Sequence, residues 1–177
     1  ATVPYRDSQY LAGIVSAANS GSSGDAGSVD VTLSGPLAIL NSGAISSATF
    51  GQGSAGTVAI RARDLRMDGP LTWITSASYA NATGAAGNVT VEVADLAQLN
   101  HEAKISSDTY TAGHAGLVRI LAGNLELNNG AAISSITGTP ATGDAGSVTI
   151  NTGNLQMNNG AVISSSTNSV GDAGQLM

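Results

Sequence analysis

The tetrapeptide Gly-x-Ala-Gly occurs six times, starting at Gly24, Gly53, Gly84, Gly113, Gly143 and Gly171, with successive starts 28 to 31 residues apart. A fixed period that drifts by one or two residues describes one structural unit repeated along the chain, with loops absorbing the drift. A unit of that size has no core of its own and gains one only by stacking on its neighbours. The repeat divides the single domain, 1–177, into an atypical partial coil over 1–23, five regular coils over 24–170, and the start of a further coil over 171–177.

Each period contains the same three short apolar patterns. After the Gly-x-Ala-Gly turn comes an alternating segment: Val29 and Val31, Val58 and Ile60, Val89, Val91 and Val93, Val118 and Ile120, Val148 and Ile150. Alternation with period two buries one face of a strand. A second apolar pair follows at Leu37 and Ile39, Leu65 and Met67, Leu96 and Leu99, Leu125 and Leu127, Leu155 and Met157. It runs into turn-forming Asn and Gly, as in Asn128-Asn129-Gly130 and Asn158-Asn159-Gly160. The third pattern opens on Ile45, Ile74, Ile105, Ile133 and Ile163, each followed by Ser or Thr, and Ile14-Val15-Ser16 is a degenerate earlier copy. Strands too short to stand alone acquire partners if equivalent strands pair in parallel from coil to coil. The expected fold is therefore all-β: a three-sided right-handed parallel β-helix (β-solenoid) of about six coils, its handedness following from backbone chirality.

Competing repeat folds do not fit. Helical repeats tolerate little glycine, and this chain has 23. Propeller blades and leucine-rich repeats require strand lengths or Leu spacings that are missing here.

Composition narrows function mainly by exclusion. Charged residues make up 10% and the net charge is −6, with the six Lys and Arg scattered singly, so no basic stripe offers itself to a nucleic acid. The absence of cysteine removes disulfide frameworks and thiol chemistry. No apolar run reaches the ~18 to 20 residues a membrane span requires, so no membrane insertion is expected. The opening ATVPYRDSQY is not a signal peptide, so an exported protein would carry its signal elsewhere.

The composite repeat reads Gly-x-Ala-Gly-[Ser/Thr/Asn]-Val-x-[Ile/Val], then Leu-x-[Leu/Met]-[Asn/Asp]-x-Gly, then Ala-x-Ile-Ser-Ser-x-Thr, and is clearest from Gly43 to Val58. It resembles the coils of filamentous-haemagglutinin-type exoproteins of bacterial two-partner secretion, especially the cyanobacterial variety. The resemblance covers about residues 12 to 174 and implies an extracellular or cell-surface location, with a role as adhesin, biofilm matrix or filament. The N-terminal secretion domain of that family has no counterpart in this sequence.

Several side chains are candidates for chemistry or contact. Arg61, Glu92 and Arg119 are expected as neighbours across rungs on the outer face of the first strands; one acid between two arginines reads as a solvated ion-pair ladder rather than a catalytic set. Asp25, Asp144 and Asp172 share a turn column with Ser54, Ala85 and His114, which suits turn stabilisation better than calcium, whose site needs converging oxygen ligands. His101 and His114 lie in different columns without evident companions. No catalytic residue, metal ligand or cofactor is expected from these patterns. The Ser and Thr rows of the third strand read as polar surface, with ordered water as a remote alternative. Phe50, Tyr79 and Tyr110 stand five residues past successive isoleucines and should stack along one corner, available to a glycan or a partner.

The two ends are parts of coils. Joining Met177 to Ala1 of another copy would complete the broken coil in phase, with Ala1, Tyr5, Tyr10, Leu176 and Met177 at the junction. Together these readings favour an extracellular structural or adhesive β-solenoid, either a segment of a large exoprotein joined to flanking coils or a subunit stacking end to end. A glycan-binding module, and a polysaccharide lyase or hydrolase built on a β-helix, are the alternatives.

Overall fold

A computed structural model describes residues 12–79, 82–168 and 170–177. Among them every regular element is a strand, and every strand pairing is parallel. Six strands, β1 (Gly13–Ala18), β4 (Ala44–Thr49), β7 (Trp73–Ser78), β9 (Lys104–Thr109), β11 (Ala132–Thr137) and β13 (Val162–Thr167), follow one another in a single sheet, here sheet A. They are the third-pattern segments, and Ile14, degenerate in sequence, pairs in register with Ile45.

The second sheet, sheet B, joins the first and second patterns. They are separate as β2 (Val29–Thr32) and β3 (Leu37–Leu40), then β5 (Val58–Ala62) and β6 (Leu65–Asp68). In the next three coils they fuse into β8 (Val89–Asn100), β10 (Val118–Leu127) and β12 (Val148–Met157). The parallel β-solenoid is thus confirmed, with about five turns and partial coils at the ends where the repeat suggests about six coils. Three strands per coil resolve into two sheets, since in β8, β10 and β12 the backbone stays extended through the first corner.

The glycines that announce the repeat mark where backbones touch. A Cβ on Gly56, Gly87, Gly116 or Gly146 would lie 2.1 to 2.5 Å from the carbonyl oxygen of the equivalent glycine one coil earlier. The alanine between the two glycines of each motif is buried, at 7 to 8% exposure for Ala26, Ala55, Ala86, Ala115 and Ala145. Only a side chain no larger than a methyl fits under the corner.

The core is a set of stacked columns. Val58, Val89, Val118 and Val148 form one and Ile45, Ile74, Ile105 and Ile133 another, all at or near zero exposure. One expected column needs correction. Ala97, not Leu96, pairs with Leu65 and Leu125, because β8 carries one more residue than β10 at the corner, and the bulge turns Leu96 out of the core column.

The Ser and Thr rows of sheet A are also not the surface expected of them. Ser47, Ser76, Ser107 and Ser135 are fully buried, and their outward neighbours Ser46, Thr75, Ser106 and Ser134 are no more than 6% exposed. The inner serines form a repeated double bridge: Ser107 Oγ donates to Gly87 O at 2.9 Å and accepts from Gly116 N–H at 2.7 Å. Ser47, Ser76, Ser135 and Ser165 do the same with their own pairs of glycines. This hydroxyl column satisfies turn groups that the tight glycine stacking leaves without a strand partner. Water has no access to it.

Candidate functional site

The aromatic corner lies immediately past the ends of β4, β7 and β9. The Phe50 and Tyr79 rings stack with centroids 4.8 Å apart and planes 7° off parallel, and Tyr79 and Tyr110 with centroids 5.9 Å apart and planes 6° off parallel. The in-register strands force this alignment, since each ring follows the same strand position. The ladder ends against Gly138, where a Cβ would come within 2.5 Å of the Tyr110 ring. All three aromatic residues are half-buried. Burial pushes the Tyr110 phenol up, aided by the nearby Asp108 carboxylate and opposed by Lys104.

Beside this corner, on the outer side of β9, Asp108 Oδ2 accepts hydrogen bonds from Lys104 Nζ and Ser106 Oγ, both at 2.9 Å. Asp108 is only 6% exposed. The pair was legible in principle, because Asp108 stands in a column otherwise held by Ala48, Ala77, Ile136 and Ser166.

Sheet B gathers charge. Four of the chain's six Lys and Arg lie on its outer side, Arg61, Arg63 and Arg66 from one stretch of six residues and Arg119 from two coils later. The expected ladder is present and longer than expected. Arg61 reaches Asp30 at 3.5 Å and Glu92 at 3.1 Å, and Arg119 reaches Glu92 at 3.4 Å. A second set at the corner places Arg63 2.8 Å from Asp64 and 3.9 Å from Asp95. The hydrogen bond from Arg63 holds the Asp64 carboxyl below the usual carboxylate range. Asp64 is therefore ionised at neutral pH and unsuited to donating a proton as a general acid. An open groove of about 670 Å³ runs between these sets, edged by Leu33, Arg61, Arg63, Glu92 and Leu121.

The turn column behaves as turn chemistry. Asp25 Oδ1 accepts from Ser54 N–H at 2.7 Å, and Asp144 Oδ1 accepts from Asp172 N–H at 2.8 Å. His114 Nδ1 accepts from Asp144 N–H at 3.0 Å. Each side chain caps the backbone one coil later. Both histidines do have companions, contrary to expectation: His114 Nδ1 lies 3.3 Å from the Asp144 carboxylate, and His101 Nδ1 lies 2.8 Å from Asp68 Oδ1. The bond with His101, then that from Arg66, lowers the Asp68 pKa. At the same corner Asn158 donates to Asn128 at 2.9 Å and Asn159 to Asn129 at 3.0 Å. Asn129 and Asn159 adopt φ of 54° and 50°, which suits asparagine in this turn.

Of the residues expected at an end-to-end junction, Ala1, Tyr5 and Tyr10 lie outside the described residues. Leu176 and Met177 begin a further rung: Leu176 bridges in parallel to Val148, and Ile150 N–H donates to Met177 O at 2.8 Å. They are 56% and 62% exposed.

These features define a parallel β-solenoid with its chemistry on outer columns. No family model, curated protein or solved structure matches the chain.

Proposed function

We propose that the chain is an extracellular structural or adhesive β-solenoid that works through length and coil-on-coil assembly, as a segment of a larger surface exoprotein or as a filament subunit. The observation that carries this reading is the contrast within single core columns. Leu155 is 43% and Met157 39% exposed, whereas Leu125 and Leu127, their partners one rung inward, are fully buried. At the opposite end Ile14 is 50% exposed and its partner Ile45 only 3%. Among the described residues no strand lies beyond β1 at one end, or beyond β13 and the second half of β12 at the other, and the open apolar columns there are a surface on which another parallel coil docks. That coil comes from flanking chain or from a second copy.

Electron microscopy of the purified protein tests the filament branch: end-to-end stacking gives thin fibres with an axial repeat of roughly 25 to 30 Å, set by ~4.8 Å per rung. Replacing Leu155 and Met157 by Glu should abolish fibres while leaving the far-ultraviolet circular dichroism unchanged. Short isolated rods from the unmodified chain at high concentration would sink that branch and leave the flanking-coil one.

The aromatic corner favours a second reading, a glycan-contact strip formed by Phe50, Tyr79 and Tyr110, because the three stacked, half-buried rings line up their edges along one corner. Glycan-array binding that disappears in Tyr79→Ala supports it, and an array without signal for the unmodified chain rejects it.

A further inference from the structure

The outer face of the first strands carries a charge order that is complementary to itself. Take β2, β5, β8 and β10 as consecutive rungs one to four. One outward column runs Asp30, Ala59, Thr90, Arg119 and the next Thr32, Arg61, Glu92, Leu121. The charges read negative at rung one, positive at rung two, negative at rung three and positive at rung four. At the adjoining corner Arg63 on the rung-two coil and Asp95 on the rung-three coil repeat the central alternation.

We propose that this face is a lateral self-association surface on which two copies pack antiparallel, related by a two-fold axis parallel to the strands and lying between rungs two and three. Such an axis keeps each residue in its column and reverses the order of the rungs. Arg61 then faces Glu92 of the other copy, Asp30 faces Arg119, and Arg63 comes level with Asp95. All these charges meet opposites, and each pairing occurs twice because the contact is isologous. Parallel alignment of two copies would instead set like charge against like at each rung.

The apolar side chains obey the same operation. Leu121, 37% exposed, is the one exposed large apolar residue on an interior rung among the described residues. It sits at rung four in the column of Thr32, next to Leu33, itself 40% exposed, at rung one. The two-fold brings Leu121 of one copy onto Thr32 and Leu33 of the other, at both ends of the charged centre. The charged side chains are accessible for this, from 33% exposure for Glu92 to 66% for Asp95. The surface lies along the side of the rod, so it is independent of the end-to-end contact proposed above.

Complementary charge reversal tests the geometry. In Asp30→Arg, the outer positions at rungs one and four are both positive; in Arg119→Asp both are negative. Each variant alone should associate at least ~tenfold more weakly than the unmodified chain in sedimentation velocity at low ionic strength, as expected for like charges brought together at an interface. An equimolar mixture should regain the dimer, because each arginine then meets an aspartate. Circular dichroism melts verify that both variants remain folded, and the Leu155 and Met157 double substitution removes end-to-end association during the measurement. The proposal is overturned if the chain with these end substitutions is monomeric at about 100 µM in low salt, well above the micromolar range of specific weak complexes. It is equally overturned if either variant dimerises as well as the parent, or if mixing restores nothing.

Discussion

At the scale of single residues, the most consequential side chains are ones that usually count as surface filler. Ser107 is fully buried and is hydrogen bonded to two coils at once. Ser107→Ala leaves the Gly116 N–H and a Gly87 carbonyl lone pair without this partner and should cost about 1 to 3 kcal/mol in urea unfolding, the range for orphaned buried polar groups. Replacing the exposed turn cap, Asp25→Ala, should cost well under that, since water takes over the lost bond to Ser54 N–H. Gly116→Ala forces a methyl to within 2.3 Å of the Gly87 carbonyl oxygen, with only backbone to yield, and should destabilise by about 1 to 3 kcal/mol or more. Titration gives a further handle. The folded-state pKa of Asp68 is depressed, so its contribution to stability is complete above the ordinary aspartate value and is lost as pH falls through the lower folded value. Thermal melts taken from about pH 5 down to about pH 2 should therefore show a shallower acid limb in Asp68→Asn than in the parent, with the ordinary value near 3.9 as reference. Tyr110 runs the other way. Its raised pKa adds stability that is present below the usual tyrosine value and lost as pH climbs through the folded one.

At the scale of elements, sheet A and sheet B divide the labour differently. Sheet A is in strict register over six strands without a bulge, and its inner face alternates an isoleucine column with a hydroxyl column. This regularity aligns the rings that follow it. Tyr79→Ala removes both stacked contacts at once and should cost about 1 to 3 kcal/mol from stacking, at ~0.5 to 1.5 kcal/mol per pair. Phe50→Ala leaves the Tyr79–Tyr110 contact in place, so in the same chemical-denaturation measurement Tyr110→Ala made in that background should still cost ~0.5 to 1.5 kcal/mol from stacking. Most of the variation in coil length falls in the loop after sheet A, which takes eight or ten residues from the isoleucine to the next Gly-x-Ala-Gly, and sheet B absorbs a single residue. Its corner is a turn in two coils and extended strand in three, and the extra residue of β8 is accommodated there. Charged side chains collect on this sheet because its outer face is solvated, and an ion-pair network there is compatible with a core of Val, Ile and Leu beneath.

At the scale of the whole molecule, the fold is a stack whose interior rungs are finished and whose end rungs are not. Stability in such a stack is a sum of coil and interface contributions. Cutting one central core side chain, as in Ile105→Ala, should cost about 2 to 5 kcal/mol, because Ile105 is fully enclosed between Ile74 and Ile133. The corresponding Ile163→Ala in the last rung should cost measurably less, since it is already partly exposed. Any coil added beyond β12 and β13, by fusion or by assembly, should raise the cost at Ile163 toward that at Ile105.

The repeat by itself determined the solenoid, the parallel pairing, the identity of nearly every core column and the stacking of Phe50, Tyr79 and Tyr110. Those features depend only on which residues are equivalent from one coil to the next, and a period of 28 to 31 residues states that directly. Tertiary structure decided what depends on the direction each side chain takes and on which segments meet across a corner. It turned the column of Ser47, Ser76, Ser107 and Ser135 inward, because the glycine turns these serines bond lie on the inside of the coil. It replaced Leu96 by Ala97 in the core through a one-residue bulge that period counting passes over. It also brought Asp30, Arg63 and Asp95 into one face with Arg61, Glu92 and Arg119. Charges that are isolated along the chain become neighbours there, since stacking turns a separation of about thirty residues into one rung of ~4.8 Å.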